Sequence, residues 1–167
     1  MFESFYPDAY LDSTYEIDFK ALYEEGYRGL LFDIDNTLVP HGAPADERAI
    51  AFFSSLRALG FSSCFVSNNQ KPRVEPFALA VGEHFVENAH KPSRSGYQRA
   101  MQLLGTNPGN TLFIGDQIFT DIYGAKRAGI RTILVKPIHP KEEIQIVLKR
   151  RLEWIVLFFY KRKVRTG

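Results

Sequence analysis

The chain has 167 residues, a formal net charge of +2, 45% apolar and 24% charged residues. This length suits one α/β domain with a full core and is short for two. The composition excludes disordered, collagen-like and disulfide-stabilised classes, and the lone Cys64 can form neither an internal disulfide nor a thiolate metal cluster.

The first 28 residues are predicted to be a surface segment. Residues 1–17 are rich in aromatic and acidic side chains without a clean period, and residues 18–25 fit a short helix that ends at Gly26. The apolar run Leu30–Phe32 follows. Because no polar residue alternates with the apolar ones, this run predicts a strand that is buried on both faces.

Helical and strand patterns alternate from residue 46 to residue 135. Asp46 is placed to cap a helix that Gly60 ends, and Ser93 to cap one that Gly105 ends. Further helices are predicted near residues 72–81 and 120–128, and further strands at 61–66, 84–86, 111–114 and 131–135. This alternation predicts an α/β fold whose five-stranded, mainly parallel sheet lies between two helical layers.

Polar side chains follow four of the predicted strands. They are Asp33 and Asp35, Ser67 and Asn68, Lys91, and Asp116 with Asp121. Because ligands bind beyond the carboxyl ends of parallel strands, these groups should converge on one crevice. Carboxylates for a cation, a fixed ammonium, neutral donors and a nucleophile are what phosphoryl transfer requires. Residues 33–36 alone also fit a polar turn, whereas a calcium loop fits poorly because Leu38 stands where that loop has glycine.

In order and spacing, these residues resemble the four motifs of the haloacid dehalogenase (HAD) superfamily across residues 29–135. The first motif, Asp-x-Asp-x-Thr, corresponds to residues 33–37, and the second, a strand-end Ser or Thr, to Ser67. The third, a lysine, corresponds to Lys91, and the fourth, Gly-Asp-x₄-Asp, to residues 115–121. The resemblance implies a three-layer α/β/α Rossmann-like fold and a Mg²⁺-dependent phosphatase.

The resemblance also implies roles for the acidic residues. Asp33 would be the nucleophile that forms an aspartyl phosphate, and Asp35 would be the general acid and base. Mg²⁺ would be held by the carboxylates of Asp33 and Asp116 and by the backbone carbonyl of Asp35.

The remaining motif residues are expected to serve the phosphate. Ser67, the Asn68 amide and Lys91 would bind the phosphoryl oxygens. Asp121 would orient Lys91 or a metal-bound water, and the supporting positions would be Thr37 and Gly115.

The gaps between these motifs are too short for a cap domain. Only 33 residues separate Asp33 from Ser67, and 23 separate Ser67 from Lys91. An uncapped site favours a large substrate, such as a phosphate on a lipid, protein or nucleic-acid end. The opening motif, the aromatic N-terminus and His-Lys-Pro around Lys91 resemble the class IIIA branch that includes phosphatidylglycerophosphate phosphatases. His41 stands where that branch is expected to have an aromatic residue, and it is either a substrate contact or a solvated loop histidine.

We divide the chain into an N-terminal segment (residues 1–28), a core (29–140) and a C-terminal segment (141–167). The C-terminal segment carries eight Lys/Arg and three Glu, a net charge of +5, so residues 1–140 have a net charge of −3. A helix predicted at residues 142–160 is apolar all round from Trp154 to Tyr160. It packs on the sheet before a basic end, lies in an anionic membrane interface, or does both, with its first half packed and its second half protruding. With no leader-like run and no apolar run of about 20 residues, we expect a cytoplasmic protein, peripheral at the inner membrane surface in the second case.

The combined prediction is a Mg²⁺-dependent phosphomonoesterase whose favoured substrate is phosphatidylglycerophosphate or another large exposed phosphate. Soluble sugar phosphates and nucleic-acid ends remain alternative substrates, and a non-catalytic phosphate-binding scaffold remains the alternative outside enzymes. A nucleic-acid partner is not favoured, because no binding motif accompanies the cations of the tail. The oligomeric state is left open.

Overall fold

The computed structural model describes residues 2–139 and 144–166. Its centre is a six-stranded sheet in which every neighbouring pair of strands is parallel. The strands are β1 (Ala9–Leu11), β2 (Gly29–Phe32), β3 (Ser62–Val66), β4 (His84–Val86), β5 (Thr111–Gly115) and β6 (Arg131–Val135). Their order across the sheet is β1-β6-β5-β2-β3-β4. The predicted fold class is confirmed, with one strand more than expected.

The central strand β2 is buried on both faces, as its unbroken apolar run predicts. Leu30 and Phe32 pack into the core on one face, and Leu31 packs into the core on the other. The register aligns Phe32 with Phe65 of β3 and with Ile114 of β5. These three strands therefore end side by side, and the residues that follow them meet at one edge of the sheet.

Helices cover both faces of the sheet. They are α1 (Phe19–Glu24), α2 (Glu47–Leu59), α3 (Lys71–Val81), α4 (Arg94–Leu104), α5 (Tyr123–Arg127) and α6 (Ile144–Thr166). Helices α1, α2 and α3 pack into one core, and α4 and α5 into the opposite one. The predicted caps are present, since Asp46 and Ser93 accept hydrogen bonds from the first turns of α2 and α4. Gly60 and Gly105 end these helices in the left-handed conformation.

The additional strand, β1, comes from the N-terminal segment. It pairs with β6, with Tyr10 opposite Leu134. Its three residues are only half-buried, so it lacks the apolar run by which β2 could be recognised. The Asp8 carboxylate secures this edge by accepting hydrogen bonds from the backbone N–H and the hydroxyl of Thr132, at 2.8 and 3.0 Å. The predicted short helix is α1, whose first turn is capped by Asp18.

The C-terminal helix α6 packs against the N-terminal segment and the chain that follows β5. Its Val156 is buried in a cluster with Ile118 and Ile122. The rings of Phe2 and Phe159 lie 5.9 Å apart between centroids. The predicted start of this helix at residue 142 lies outside the described residues, and its observed end is Thr166 rather than residue 160.

Among the described residues, none of the helices combines the length and the apolar character that a membrane span requires.

Candidate active site

A pocket of about 240 Å³ lies beyond the carboxyl ends of β2, β3 and β5. Its lining residues are Asp33, Asp35, His41, Ser67, Asn68, Asn69, Lys91, Gln117, Thr120, Asp121 and Lys149. Six of them are side chains that the sequence places after four predicted strands, namely Asp33, Asp35, Ser67, Asn68, Lys91 and Asp121. The fold therefore brings these six residues together, while their catalytic roles stay predictions.

Lys91 joins two carboxylates at the buried end of the pocket. Its Nζ donates to Oδ1 of Asp121 at 2.6 Å and to Oδ1 of Asp33 at 3.1 Å. The lysine side chain is only 3% exposed. Asp121 is held in turn by the backbone N–H of Gln117, which donates to its Oδ2 at 3.1 Å. The ammonium is thus fixed between the residues that follow β2 and β5.

Asp116 extends this group toward α6. Arg150 donates to its Oδ2 at 2.6 Å and to its backbone carbonyl at 2.8 Å. Glu153 lies 3.1 Å from Arg150 through one oxygen and accepts from the backbone N–H of Ile118 at 2.9 Å through the other. The Thr37 hydroxyl donates to Oδ1 of Asp116 at 3.3 Å. Asp116 is therefore anchored both by the loop after β2 and by α6.

Acidic groups outnumber ammonium groups at this end of the pocket. Carboxylate oxygens of Asp33, Asp116 and Asp121 lie within 4.8 Å of one another. Burial raises the pKa of Asp33 well above its usual value, although Lys91 opposes the shift. Burial also raises the pKa of Asp116; the charge of Asp121 adds to this shift and Arg150 opposes it. Burial alone would lower the pKa of Lys91, but its two carboxylate partners raise it, so the ammonium stays charged.

This cluster fits a divalent cation. Its three buried carboxylates offer the oxygen ligands that Mg²⁺ prefers, and a doubly charged ion would relieve their mutual repulsion. The metal ligands predicted from the sequence were Asp33, Asp35 and Asp116. The carboxylate cluster contains Asp33 and Asp116, with Asp121 as its third member. The prediction for Asp35 concerned its backbone carbonyl, and its carboxylate is engaged elsewhere.

The Asp35 carboxylate has a different environment from that of Asp33. Its Oδ1 accepts hydrogen bonds from the backbone N–H of Gly42 at 2.7 Å and from Arg73 at 2.8 Å. Its Oδ2 accepts one from the Asn69 amide at 2.7 Å. Asp33 and Asp35, which are separated by one residue in the chain, therefore have different hydrogen-bond partners.

The loops after β3 and β4 are joined beside the pocket. The Asn68 amide donates to the Lys91 carbonyl at 3.2 Å, and its oxygen accepts from the Lys91 N–H at 2.6 Å. Asn88 and His90 have φ values of 46° and 54°, in the left-handed region that Asn and His enter more readily than most residues. The joined loops hold Ser67, Asn68 and Lys91 in one wall of the pocket.

Gly115 leaves room for Asp121. A β-carbon at Gly115 would lie 2.5 Å from Oδ2 of Asp121 and 2.7 Å from its β-carbon. The chain then makes a π-helical turn, Ile118–Ile122, before α5 begins, where the sequence predicts a regular helix from residue 120. Turns of this kind are frequent at functional sites, and this one carries the aspartate that holds Lys91.

Sequence reasoning missed four side chains that support the predicted ones. They are Asn69 and Arg73 on Asp35, and Arg150 and Glu153 beside Asp116. Arg73 lies in the first turn of the helix that follows the β3 loop, so its position along the chain was a usable signal. No signal in the sequence places α6 at the pocket. His41 lines the pocket and is exposed, so a substrate contact and a solvated loop histidine both remain possible.

Comparison with known proteins finds relatives along nearly the whole chain. A family described as HAD-hydrolase-like matches residues 88–144. The Bacillus subtilis protein named "Probable phosphatase YqeG" is 33% identical over 160 residues, which are 95% of this chain and 93% of that protein. The Arabidopsis thaliana protein named phosphatidylglycerophosphate phosphatase 1, chloroplastic/mitochondrial, is 28% identical over 162 residues.

The plant relative is longer than this chain. The similarity covers 90% of this chain and 46% of the plant protein, so this chain spans about half of that relative's length. Among solved structures, an uncharacterized protein from Listeria monocytogenes has the same fold, with a TM-score of 0.55 and 17% identity. That similarity covers 70% of this chain and 84% of the Listeria chain.

Proposed function

Since the chain belongs to the HAD superfamily of phosphatases, we propose that it is a Mg²⁺-dependent phosphomonoesterase that works through an aspartyl phosphate. The observation that carries this proposal is the convergence of Asp33, Lys91, Asp116 and Asp121 at one edge of the sheet. A carboxylate nucleophile, a fixed ammonium and a carboxylate cluster for a cation are the parts that phosphoryl transfer needs.

The reaction runs in two steps. In the first, a carboxylate oxygen of Asp33 attacks the phosphorus atom, the bond from phosphorus to the substrate oxygen breaks, and protonated Asp35 gives its proton to that oxygen. In the second, Asp35 takes a proton from a water molecule as the water oxygen attacks the phosphorus. The bond from phosphorus to Asp33 then breaks and inorganic phosphate leaves.

The other predicted residues bind and orient. Lys91, with Ser67 and Asn68 in the same wall, would hold the phosphoryl oxygens, and Asp121 would keep the Lys91 ammonium in place. Mg²⁺, held by the Asp33 and Asp116 carboxylates and the Asp35 carbonyl, would neutralise the charge that opposes approach of a carboxylate to a phosphate.

Hydrolysis of p-nitrophenyl phosphate, with Mg²⁺ or with EDTA, tests this reaction. We expect turnover only with Mg²⁺, and a loss of at least about 10³-fold in Asp33→Asn because an amide cannot act as the nucleophile. Asp12→Asn, an exposed acid that pairs with Lys136, is the matched control and should retain activity. Full activity in EDTA or in Asp33→Asn would refute the mechanism.

The outer face of α6 supports a phospholipid substrate. Of ten large apolar side chains that are exposed in the described residues, seven lie on α6: Leu148, Leu152, Trp154, Ile155, Phe158, Phe159 and Val164. Residues 148–165 also carry seven Lys/Arg and one Glu. An exposed apolar face with many cations suits a helix that lies in the interface of an anionic bilayer.

The same helix contributes to the pocket. Lys149 lines the pocket wall, and the next residue, Arg150, contacts Asp116. A helix that lies in the interface would therefore bring the pocket close to lipid head groups. Together with the name of the plant relative, this favours phosphatidylglycerophosphate at an anionic membrane surface as the substrate. The protein would then be peripheral at the cytoplasmic side of that membrane.

Turnover of phosphatidylglycerophosphate in phosphatidylglycerol vesicles tests the lipid proposal. We expect the double variant Trp154→Ser, Phe158→Ser to lose about tenfold on vesicles, since two aromatic side chains no longer enter the interface, and to keep its activity on p-nitrophenyl phosphate. Leu103→Ser, another exposed apolar residue but on α4, is the control. Equal turnover on vesicles by the unmodified protein, the double variant and Leu103→Ser would contradict a role of α6 in membrane binding. It would favour soluble phosphate esters as substrates.

A further inference from the structure

Arg73 contacts the acid to which the proposed function assigns proton transfer. Its Nη2 lies 2.8 Å from Oδ1 of Asp35, in an ion pair whose side chains are 22% and 11% exposed. The Asn69 amide holds the other oxygen at 2.7 Å. Both groups come from one short stretch, the loop after β3 and the first turn of α3.

The placement of Arg73 does not follow from stability alone. Among the described residues, its Nε–H is buried and has no hydrogen-bond partner. A buried donor without a partner destabilises a fold. The guanidinium also lies 5.9 Å from the centroid of the Phe77 ring, at the outer limit of a cation–π contact. The contact with Asp35 is therefore the feature that accounts for this position.

The hydrogen bonds of Asp35 distinguish its two oxygens. Oδ1 accepts two hydrogen bonds, from Gly42 and Arg73, which occupy both of its lone pairs. Oδ2 accepts one among the described residues, from Asn69. Three donors from two segments of the chain therefore fix the place and the direction of this carboxyl group.

We propose that Arg73 is a positioning residue that, together with Asn69, fixes the direction of the Asp35 carboxyl group toward the departing substrate oxygen. This inference rests on the proposed function. Arg73 and Asn69 hold different oxygens of the carboxyl group, so together they fix its direction as well as its place. A lysine in place of Arg73 restores the charge but not the geometry of the guanidinium hydrogen bond.

The test compares two substrates with different needs for a proton. Nitrophenolate leaves without one, whereas the alkoxide of glycerol 3-phosphate requires one. We expect Arg73→Met to lower kcat/KM for glycerol 3-phosphate by about 10²-fold and that for p-nitrophenyl phosphate by less than about threefold. Asn69→Ala should show the same selectivity to a smaller degree, and Arg73→Lys should recover only part of the loss.

Lys71→Met is the matched control, since Lys71 lies on the same helix turn and its side chain is 60% exposed. It should leave both values unchanged. Equal losses on both substrates in Arg73→Met and Asn69→Ala would show a merely structural role and overturn the inference, and no loss in either variant would do the same. Failure of the proposed function would look different, because the unmodified protein would then release no phosphate with Mg²⁺ from either substrate.

Discussion

The buried end of the pocket and the outer face of α6 have opposite patterns of polarity and exposure. Asp33 and Lys91 in the pocket and Asp116 beside it are buried, and each has a charged partner. On α6, the apolar side chains of Trp154 and Phe158 are 68% and 44% exposed. Buried charges need fixed partners within the fold, whereas an exposed apolar face is typically covered by something outside the chain. Substitutions at the buried end of the pocket should therefore affect soluble and membrane-bound substrates alike, and those on the outer face only substrates in a membrane.

Lys91→Met should have the largest combined effect on stability and hydrolysis. The buried carboxyl groups of Asp33 and Asp121 then lose the ammonium that they share, so the free energy of unfolding should fall by roughly 3–5 kcal/mol. Hydrolysis should fall by about 10²–10³-fold on soluble and vesicle substrates alike. Urea unfolding and phosphate release measure the two effects, and retained hydrolysis would remove Lys91 from the pocket chemistry.

Mg²⁺ should stabilise the protein through the pocket and not through α6. At about 100 times its Kd, the ion should raise the free energy of unfolding by about 2.7 kcal/mol and the Tm by about 5–10 °C. The reason is the repulsion among three buried carboxylates. Thermal unfolding of the unmodified protein and of Asp116→Asn measures this, and an equal rise with NaCl of the same ionic strength would contradict a specific site.

Gly115→Ala tests how closely the pocket is packed. The new β-carbon would meet Asp121 at 2.5 Å, so the carboxylate must move and Lys91 with it. We expect a loss of stability of about 1–3 kcal/mol, measured by urea unfolding, together with slower hydrolysis of p-nitrophenyl phosphate. Gly109→Ala is the control, because its β-carbon would meet only Asn107 Oδ1, at 3.1 Å, on an exposed turn. Equal stability in both variants would show that the pocket adapts.

The smallest effect, about tenfold, is expected from Arg150→Met. This residue belongs to α6 but contacts Asp116 of the carboxylate cluster, so hydrolysis should fall equally on p-nitrophenyl phosphate and on vesicles. Arg151→Met, the exposed neighbour, is the matched control and should retain hydrolysis of the soluble substrate. A loss of hydrolysis on vesicles alone would instead assign Arg150 to membrane binding. The pocket and the outer face of α6 would then not act separately.

Much of the fold could be predicted from local signals. The apolar run of β2 identified a strand buried on both faces, and Asp46 and Gly60 marked the ends of α2. These signals depend on residues close together in the chain and on backbone preferences, so they can be recognised without knowledge of the tertiary structure. The half-buried strand β1 could not be found in this way, because its pairing partner β6 lies more than 100 residues away.

Part of the site followed from the same logic. Acidic, hydroxyl and ammonium groups after successive parallel strands must meet at one edge of the sheet, and the structure brings Asp33, Ser67, Lys91 and Asp121 into one pocket. The partners of Asp35 and Asp116 were not predicted, although the place of Arg73 just after the β3 loop was a usable signal. Arg73 reaches Asp35 across a loop, and Arg150 reaches Asp116 from a helix whose place on the sheet depends on packing with Ile118.

The sequence by itself determined the fold class and the set of groups that a phosphoryl-transfer site would use, because strand order along the chain and residue type after each strand are local properties. Only the tertiary structure decided that Asp33 shares Lys91 with Asp121, that Asp35 pairs with Arg73, and that α6 lies beside the pocket. These contacts depend on side-chain direction and on packing between distant segments. Burial makes these contacts necessary for stability, because charges removed from water must pair with groups that the fold brings near.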